Sequence, residues 1–311
     1  MVHFMWGARC EFSRLQKVLM HSPGSELDLI DSKSFKKYLY RDVVFRDKFR
    51  REHEDFVKVL REEGVEVVLL SDILRDDEKT KSLMCQCPNL VYIRDIVSVA
   101  RAGSIVMRMM SKVRAKEPEI AKLALDKLGV PKLMEVSSPG TMEGGDLVYM
   151  SDKILLVGMG DRTNSIALKQ LLEHLKENDL DTVIAVPLPV WAVHLDGLLM
   201  FLDRDLCIIH KRSLIGRSTL IESNGKKRRI DLIDYLTNKG FQFIEVTDYE
   251  RHMRAANLVA IGPRKAIGYA GIDRVKKLLI QSGVDLIEIE GSELIRGGGG
   301  PHCMTAPILR V

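Results

Sequence analysis

Short apolar runs bounded by turn residues recur along the chain, with charged, helically spaced segments between them. Leu15–Met20 is such a run, and His21-Ser22-Pro23-Gly24 stops it with turn chemistry, so a strand is predicted there. A charged, periodic stretch over 45–63 predicts a helix that passes through Gly64 into an apolar strand over 65–70. The order of helix then strand returns four times, each time behind a predicted hairpin. The first hairpin pairs 90–99 with 104–109 around Arg101-Ala102-Gly103, and a helix over 118–128 and a strand over 132–136 follow. The second pairs 147–150 with 154–157, ahead of a helix over 165–177 and a strand over 182–187. The third pairs 198–202 with 206–210, ahead of a helix over 230–238 and a strand over 241–246. The fourth pairs 258–261 with 266–269, ahead of a helix over 273–282 and a strand over 284–289.

Five repeats of a helix and a strand imply a closed α/β array in which each unit buries its apolar face on its neighbours, with strands lining the centre and helices outside. No stretch rich in Pro, Gly or Ser divides the chain, which is read as one domain over 1–311. Composition adds exclusions. Hydrophobic residues make up 46% and charged residues 29%, and no apolar run nears the roughly 18 residues of a membrane span. Met1 to Cys10 carries no charged segment followed by an apolar one, so no secretory leader is expected. Five cysteines form no evident disulfide framework, which points to a reducing cytoplasm, and Cys85-Gln86-Cys87 lacks the second pair a zinc site needs. A net charge of +4 is small, and the basic clusters at Lys36-Lys37, Arg46 to Arg51 and Lys226 to Arg229 are interleaved with acids or apolar residues, so nucleic acid is not indicated.

Candidate chemistry concentrates where polar residues interrupt apolar runs, because an unpaired buried charge is expensive. Arg94-Asp95 lies inside the first hairpin, Met142-Glu143-Gly144-Gly145-Asp146 opens the second and Val193-His194-Leu195-Asp196 the third. At the far end Arg296 precedes Gly297 to Gly300, Pro301, His302 and Cys303. A thiol beside a His, an Arg and close-approaching glycine backbone suits a nucleophile, although the same segment also reads as a turn before a last strand over 304–309, with Cys303 a small hydrophobe. A Cys, a His and several carboxylates together supply a nucleophile, a proton shuttle and a cation pocket.

Taken in order, Leu15 to His21 with Gly24, Pro88-Asn89-Leu90 to Arg94-Asp95, Glu143-Gly144-Gly145-Asp146, Arg162-Thr163, His194-Leu195-Asp196 and His302-Cys303-Met304-Thr305 resemble the guanidine-modifying enzymes, and most of all the arginine deiminases. The resemblance implies a five-bladed α/β propeller. It implies Cys303 as nucleophile, His194 as general acid and base, Glu143 as its partner, and Asp95 and Asp196 on the substrate guanidinium. Asn89, Arg114 and Arg162 fall where the amino-acid end of arginine is held, the two arginines on the carboxylate, with Arg296 as a further contact. Asp146 and His302 join the substrate-binding set. The implied reaction hydrolyses a guanidino compound, arginine to citrulline and ammonia, through a covalent S-amidino cysteine and without metal or organic cofactor. The stretch over 72–87 is too short for the helical insertion of typical arginine deiminases. Amidino transfer, a dimethylarginine dimethylaminohydrolase-like activity and a catalytically silent propeller are the alternatives, and a homodimer is the default assembly.

Overall fold

The predicted strands pair into five sheets in a computed structural model that describes residues 5–311; the first four residues of the stretch read for a leader lie outside the described residues. Each sheet has the same core, an antiparallel pair followed across a helix by a strand parallel to its second member. The second blade is Val97–Ala100, Gly103–Val106 and, beyond the helix Glu117–Lys127, Lys132–Glu135. The third is Leu147–Ser151, Ile154–Met159 and, beyond the helix Ser165–Leu172, Thr182–Pro187. The fourth joins Leu199–Asp203 and Leu206–Ile209 to Gln242–Glu245, and the fifth joins Val259–Gly262 and Lys265–Tyr269 to Asp285–Ile289.

The first blade is assembled from both ends of the chain. Leu15–Met20 runs parallel to Glu66–Leu69 and antiparallel to Ala306–Arg310, so the last strand supplies the inner edge that a local hairpin supplies elsewhere. The helix between its first two strands, Arg46–Glu62, forms because one face is apolar: Phe49, Phe56 and Leu60 are fully buried at helical spacing while the opposite face is charged. Contacts between neighbouring blades close the ring. Ala306–Arg310 touches Val97–Ala100, Leu147–Ser151 touches Leu199–Asp203, Leu199–Asp203 touches Val259–Gly262, and Val259–Gly262 returns to Leu15–Met20. Blades two and three meet through the turns ahead of their inner strands. The protein is a five-bladed α/β propeller.

Two departures from the predicted pattern bear on function. The apolar stretch before Val97 is not strand: Ile93–Asp95 forms a 3₁₀ turn, and the Arg94 amide donates to the Cys303 carbonyl. Equivalent 3₁₀ turns at Gly144–Asp146 and Leu195–Gly197 precede the inner strands of blades three and four, so the polar motifs stand at one end of the ring. The second departure is a hairpin of Arg217–Glu222 and Lys227–Asp231, which extends the third blade to five strands. Its outer strand, Lys227-Arg228-Arg229-Ile230-Asp231, is almost wholly charged and reads as loop because it edges the sheet and faces water. No helix among the described residues is long and apolar enough to cross a membrane.

Candidate active site

The 3₁₀ turns and the last loop surround a cleft of about 290 Å³, whose lining includes Asp95, His194, Asp196 and Cys303. At its floor the Cys303 sulfur lies 3.5 Å from Asp196 Oδ2 and 3.2 Å from Asn257 Oδ1. The His194 ring is held on both sides, with Nε2 2.8 Å from Glu143 Oε2 and Nδ1 3.4 Å from Asp95 Oδ1. Close packing fixes that ring, since a Cβ on Gly145 would stand 2.7 Å from His194 Nδ1. Glycine is therefore required at 145 for clearance.

Charge at the floor follows from these partners. Burial opposes the imidazolium of His194, but Asp95, the Glu143 hydrogen bond and Asp146 outweigh it and lift its pKa to about 10. Glu143 is correspondingly held at about 2: burial would raise it, and the hydrogen bond and charge of His194 lower it. Cys303 goes the other way. Burial, then the charges of Asp196 and Asp95, push its thiol well above the ordinary range. The resting site is thus a neutral thiol next to an imidazolium, with carboxylates around both. Asp95 Oδ1 is buried and has no hydrogen-bond partner.

The predicted residues divide by their partners. Cys303, His194, Asp95, Asp196, Asn89, Arg114 and Arg162 all reach the cleft, and Glu143 stands directly behind His194. Asp146 and His302, predicted to contact substrate, do not line it and act through neighbours. Asp146 accepts from Thr163 Oγ1 at 2.6 Å and from the Leu195 amide at 3.0 Å, which anchors the turn that follows His194, and burial raises its pKa to about 7. His302 is fully buried between Asp196 Oδ2 at 2.8 Å and Glu11 Oε2 at 3.1 Å, and so orients Asp196. Arg296 is a correction to the predicted set. In the last turn of the helix Ser292–Gly297 it points away from the cleft to Asp42 at 2.6 Å and Glu293 at 3.6 Å, and the glycines after it form the cleft wall instead. Arg114 spends four of its five N–H groups inside the protein, on Asp95, on Glu117 and on the carbonyls of Asn89 and Tyr92. In this geometry it is chiefly the anchor of Asp95.

The glycine run also has a different cause from the flexibility a lid would need. A Cβ at Gly297 or Gly299 would collide with Tyr92, and one at Gly300 would lie 2.5 Å from Asn257 Oδ1. Only Gly298 takes a left-handed conformation, φ 110°, as the cap of the helix. Sequence reasoning missed Asn257, whose Oδ1 also accepts from the Cys303 amide at 3.3 Å, and the cleft arginines Arg41, Arg251 and Arg254. The blade symmetry carried a signal for Asn257. It sits just ahead of the fifth blade's inner strand, the place that Asp95, Asp146 and Asp196 occupy in theirs.

Asp95, Glu143 and His194 bring potential metal-ligating atoms within 4.8 Å of one another. A metal would need His194 neutral, whereas its two acid partners hold the proton on the ring to about pH 10.

The arginine deiminase family matches this chain over residues 36–82 and 75–310. An arginine deiminase of Staphylococcus aureus (strain MRSA252) is 26% identical over 398 aligned positions, which cover 96% of this chain and 97% of the relative. That alignment exceeds the 311 residues of this chain, so the relative holds segments without a counterpart here. Among solved structures, a Cys-to-Ser variant of DDAH from Pseudomonas aeruginosa in complex with citrulline superposes with a TM-score of 0.72 at 21% identity, covering 94% of this chain and 99% of that one. AgrE in a ternary complex with ornithine and NAD⁺ gives 0.73 at 18% identity, covering 96% of this chain and 40% of that one.

Proposed function

The chain belongs to the arginine deiminase family and is a guanidino-hydrolysing enzyme, and from the geometry of its cleft we propose that it converts L-arginine and water to L-citrulline and ammonia, with Cys303 as nucleophile. The observation that carries this is Asp95 Oδ1, a buried carboxylate oxygen that accepts no hydrogen bond among the described residues and has only the His194 ring beside it at 3.4 Å, in the cleft that holds the Cys303 thiol and Asp196. A guanidinium is planar, permanently charged and rich in N–H donors, so it satisfies both carboxylates while its carbon lies over the sulfur. We read residues 1–311 as a single catalytic unit without the helical insertion.

The charge state of the resting floor sets the order of steps. Asp95 and Asp196 hold the thiol protonated, and the arriving guanidinium offsets both acids, so substrate binding itself releases the thiol proton to solvent. The thiolate attacks the guanidinium carbon and a C–S bond forms. His194, already an imidazolium, gives its proton to the terminal nitrogen, and the C–N bond breaks to release ammonia. The S-amidino cysteine that remains is attacked by a water whose proton the now neutral His194 takes. Collapse of the second adduct breaks the C–S bond, and its hydroxyl proton passes to the departing sulfur, which restores the neutral thiol and leaves the ureido group of citrulline. Glu143 keeps the ring oriented throughout and favours its charged form.

Purified protein incubated with L-arginine is expected to release citrulline and ammonia in equal amounts, and Cys303→Ala none. Ornithine and a new guanidino compound formed only when an amine acceptor is added, or turnover only of methylated arginines, would replace this assignment with amidino transfer or dimethylarginine hydrolysis. Equal inactivity of wild type and variant on all of these would refute the enzyme assignment.

A further inference from the structure

Each inner strand starts near the cleft and runs toward the opposite end of the ring, where a second cavity of about 440 Å³ lies. Its lining comes from the far ends of those strands. Ser151 and Asp152 follow the strand that begins beyond Asp146, Arg204 follows the strand that begins beyond Asp196, and Arg310 ends the strand that begins beyond Cys303. Arg9 and Phe12, from the segment ahead of the first strand, add to the wall.

Three arginines face one acidic side chain here, and that acid is not spent on them. Asp152 is exposed and makes no ion pair among the described residues. Arg9 comes no nearer than 3.9 Å to Asp179, and the exposed side chain of Arg204 has neither a hydrogen bond nor an ion pair among the described residues. Arg310 differs from both in being 7% exposed. Its Nη1 donates to the Ser13 carbonyl at 2.7 Å, whereas its Nη2 is buried with no acceptor. The carboxylate whose charge acts on it, Glu11, is already engaged: Oε1 accepts the Tyr149 amide at 3.3 Å and lies 3.8 Å from Arg94 Nη1, and Oε2 faces His302. Two buried guanidiniums thus share one carboxylate, and Arg94 Nη2 is orphaned as well. Burial brings the Arg310 pKa down to about 10, with Arg94 acting in the same direction and Glu11 against it. A buried cation so poorly matched is costly to hold.

We propose that this rear cavity binds a tetrahedral phosphate dianion, free or as a small monoester, between Arg9, Arg204 and Arg310. Guanidinium groups meet phosphate oxygens through paired N–H donors, so the ligand brings both the acceptors and the counter-charge that this end of the ring lacks. Phe12 offers an apolar surface for the organic group of an ester. The site is separate from the cleft yet joined to its floor, because Arg310 acts on Glu11, Glu11 holds His302 and His302 holds Asp196.

Calorimetric titration of the full chain with inorganic phosphate, at an ionic strength fixed with sodium chloride, tests this without requiring turnover. Saturable binding is expected. The cleft arginines attract anions too, so variants decide the location. Arg204→Ala, at an exposed position, should weaken phosphate binding roughly 10-fold, as the loss of a charged hydrogen bond does, and Arg310→Gln at least as much. Arg251→Ala, in the cleft, should leave that binding unchanged. Should Arg310→Gln fail to fold, Arg204→Ala and Arg9→Ala carry the test. A parallel titration with phenyl phosphate separates the two sources: tighter binding than phosphate assigns the site to an ester, and equal or weaker binding assigns it to the free ion. Absence of saturable binding overturns the proposal. So does binding that Arg251→Ala abolishes while Arg204→Ala and Arg9→Ala leave it intact, since the anion then sits in the cleft.

Discussion

The floor and the rim of the cleft are built on opposite principles. At the floor the ionisable groups pair with one another: His194 lies between Glu143 and Asp95, Asp196 is held by His302, His302 in turn by Glu11, and Asp95 by Arg114. At the rim Arg41, Arg251 and Arg254 make no ion pair among the described residues, and their charges act against one another. A preorganised floor positions reacting atoms and develops charge where the chemistry needs it. An unpaired rim holds a charge deficit for the ligand to fill.

Removing the nucleophile separates the two most sharply. Cys303→Ala should lower turnover by at least ~10⁴-fold while arginine still binds, because the acids that grip the guanidinium and the cations above are untouched. Calorimetry on the variant checks this, and loss of binding along with turnover would mean that the floor depends on the sulfur for its shape. Gly145→Ala should come next, at roughly 10²-fold, because the new methyl group forces the His194 ring off its place between two acids and a displacement near 1 Å costs about that much. Its loss should appear in kcat with KM little changed. An increase confined to KM would instead mean that Gly145 serves the rim.

The Glu143–His194 pair makes the floor's electrostatics measurable through stability. His194 is raised from 6.5 to about 10, so its contribution is fully present below pH 6.5 and is lost as pH rises through about 10. Glu143 is lowered from 4.5 to about 2, so its contribution is present above 4.5 and is lost as pH falls through about 2. Both describe one interaction, which is therefore strongest between about pH 4.5 and 6.5. The gap in melting temperature between wild type and Glu143→Gln should be widest in that window and close toward pH 10. Asp146, raised to about 7, shifts the curves of both proteins alike, so the comparison largely cancels it. A gap independent of pH would show that Glu143 acts by packing alone.

Much of the floor and little of the rim was legible in the sequence, for a physical reason. Floor residues stand at blade ends where apolar strands begin, so a lone acid or His in an apolar run marks itself, as Asp95, Glu143, His194 and Asp196 do. The other cleft arginines, Arg41, Arg251 and Arg254, are half-buried in polar segments of the sequence, where each looks like any charged residue of a turn or short helix. The four local hairpins were readable from alternation and turn residues, but the pairing of Leu15–Met20 with Ala306–Arg310 joins the chain ends, and no local pattern encodes that. The helix Ser292–Gly297 was hidden by the glycines after it, and with it the direction of Arg296.

Arg296 gives the smallest expected effect and draws the outer limit of the rim. Its guanidinium pairs with Asp42 and Glu293 and lies 5.8 Å from the Phe45 ring centre, on the far side of the glycine wall from the cleft. Exposed ion pairs of this kind contribute little, because solvent screens them and both side chains lose freedom in forming them. The backbone carbonyl of Arg296, which accepts the amides of Arg41 and Asp42, survives any substitution of the side chain and continues to hold the segment that carries Arg41. Arg296→Ala should therefore alter kcat/KM for arginine by less than about 2-fold. A rise in KM for Arg296→Ala of about 10-fold or more would extend the rim across the glycine wall and require the last loop to turn inward when substrate binds.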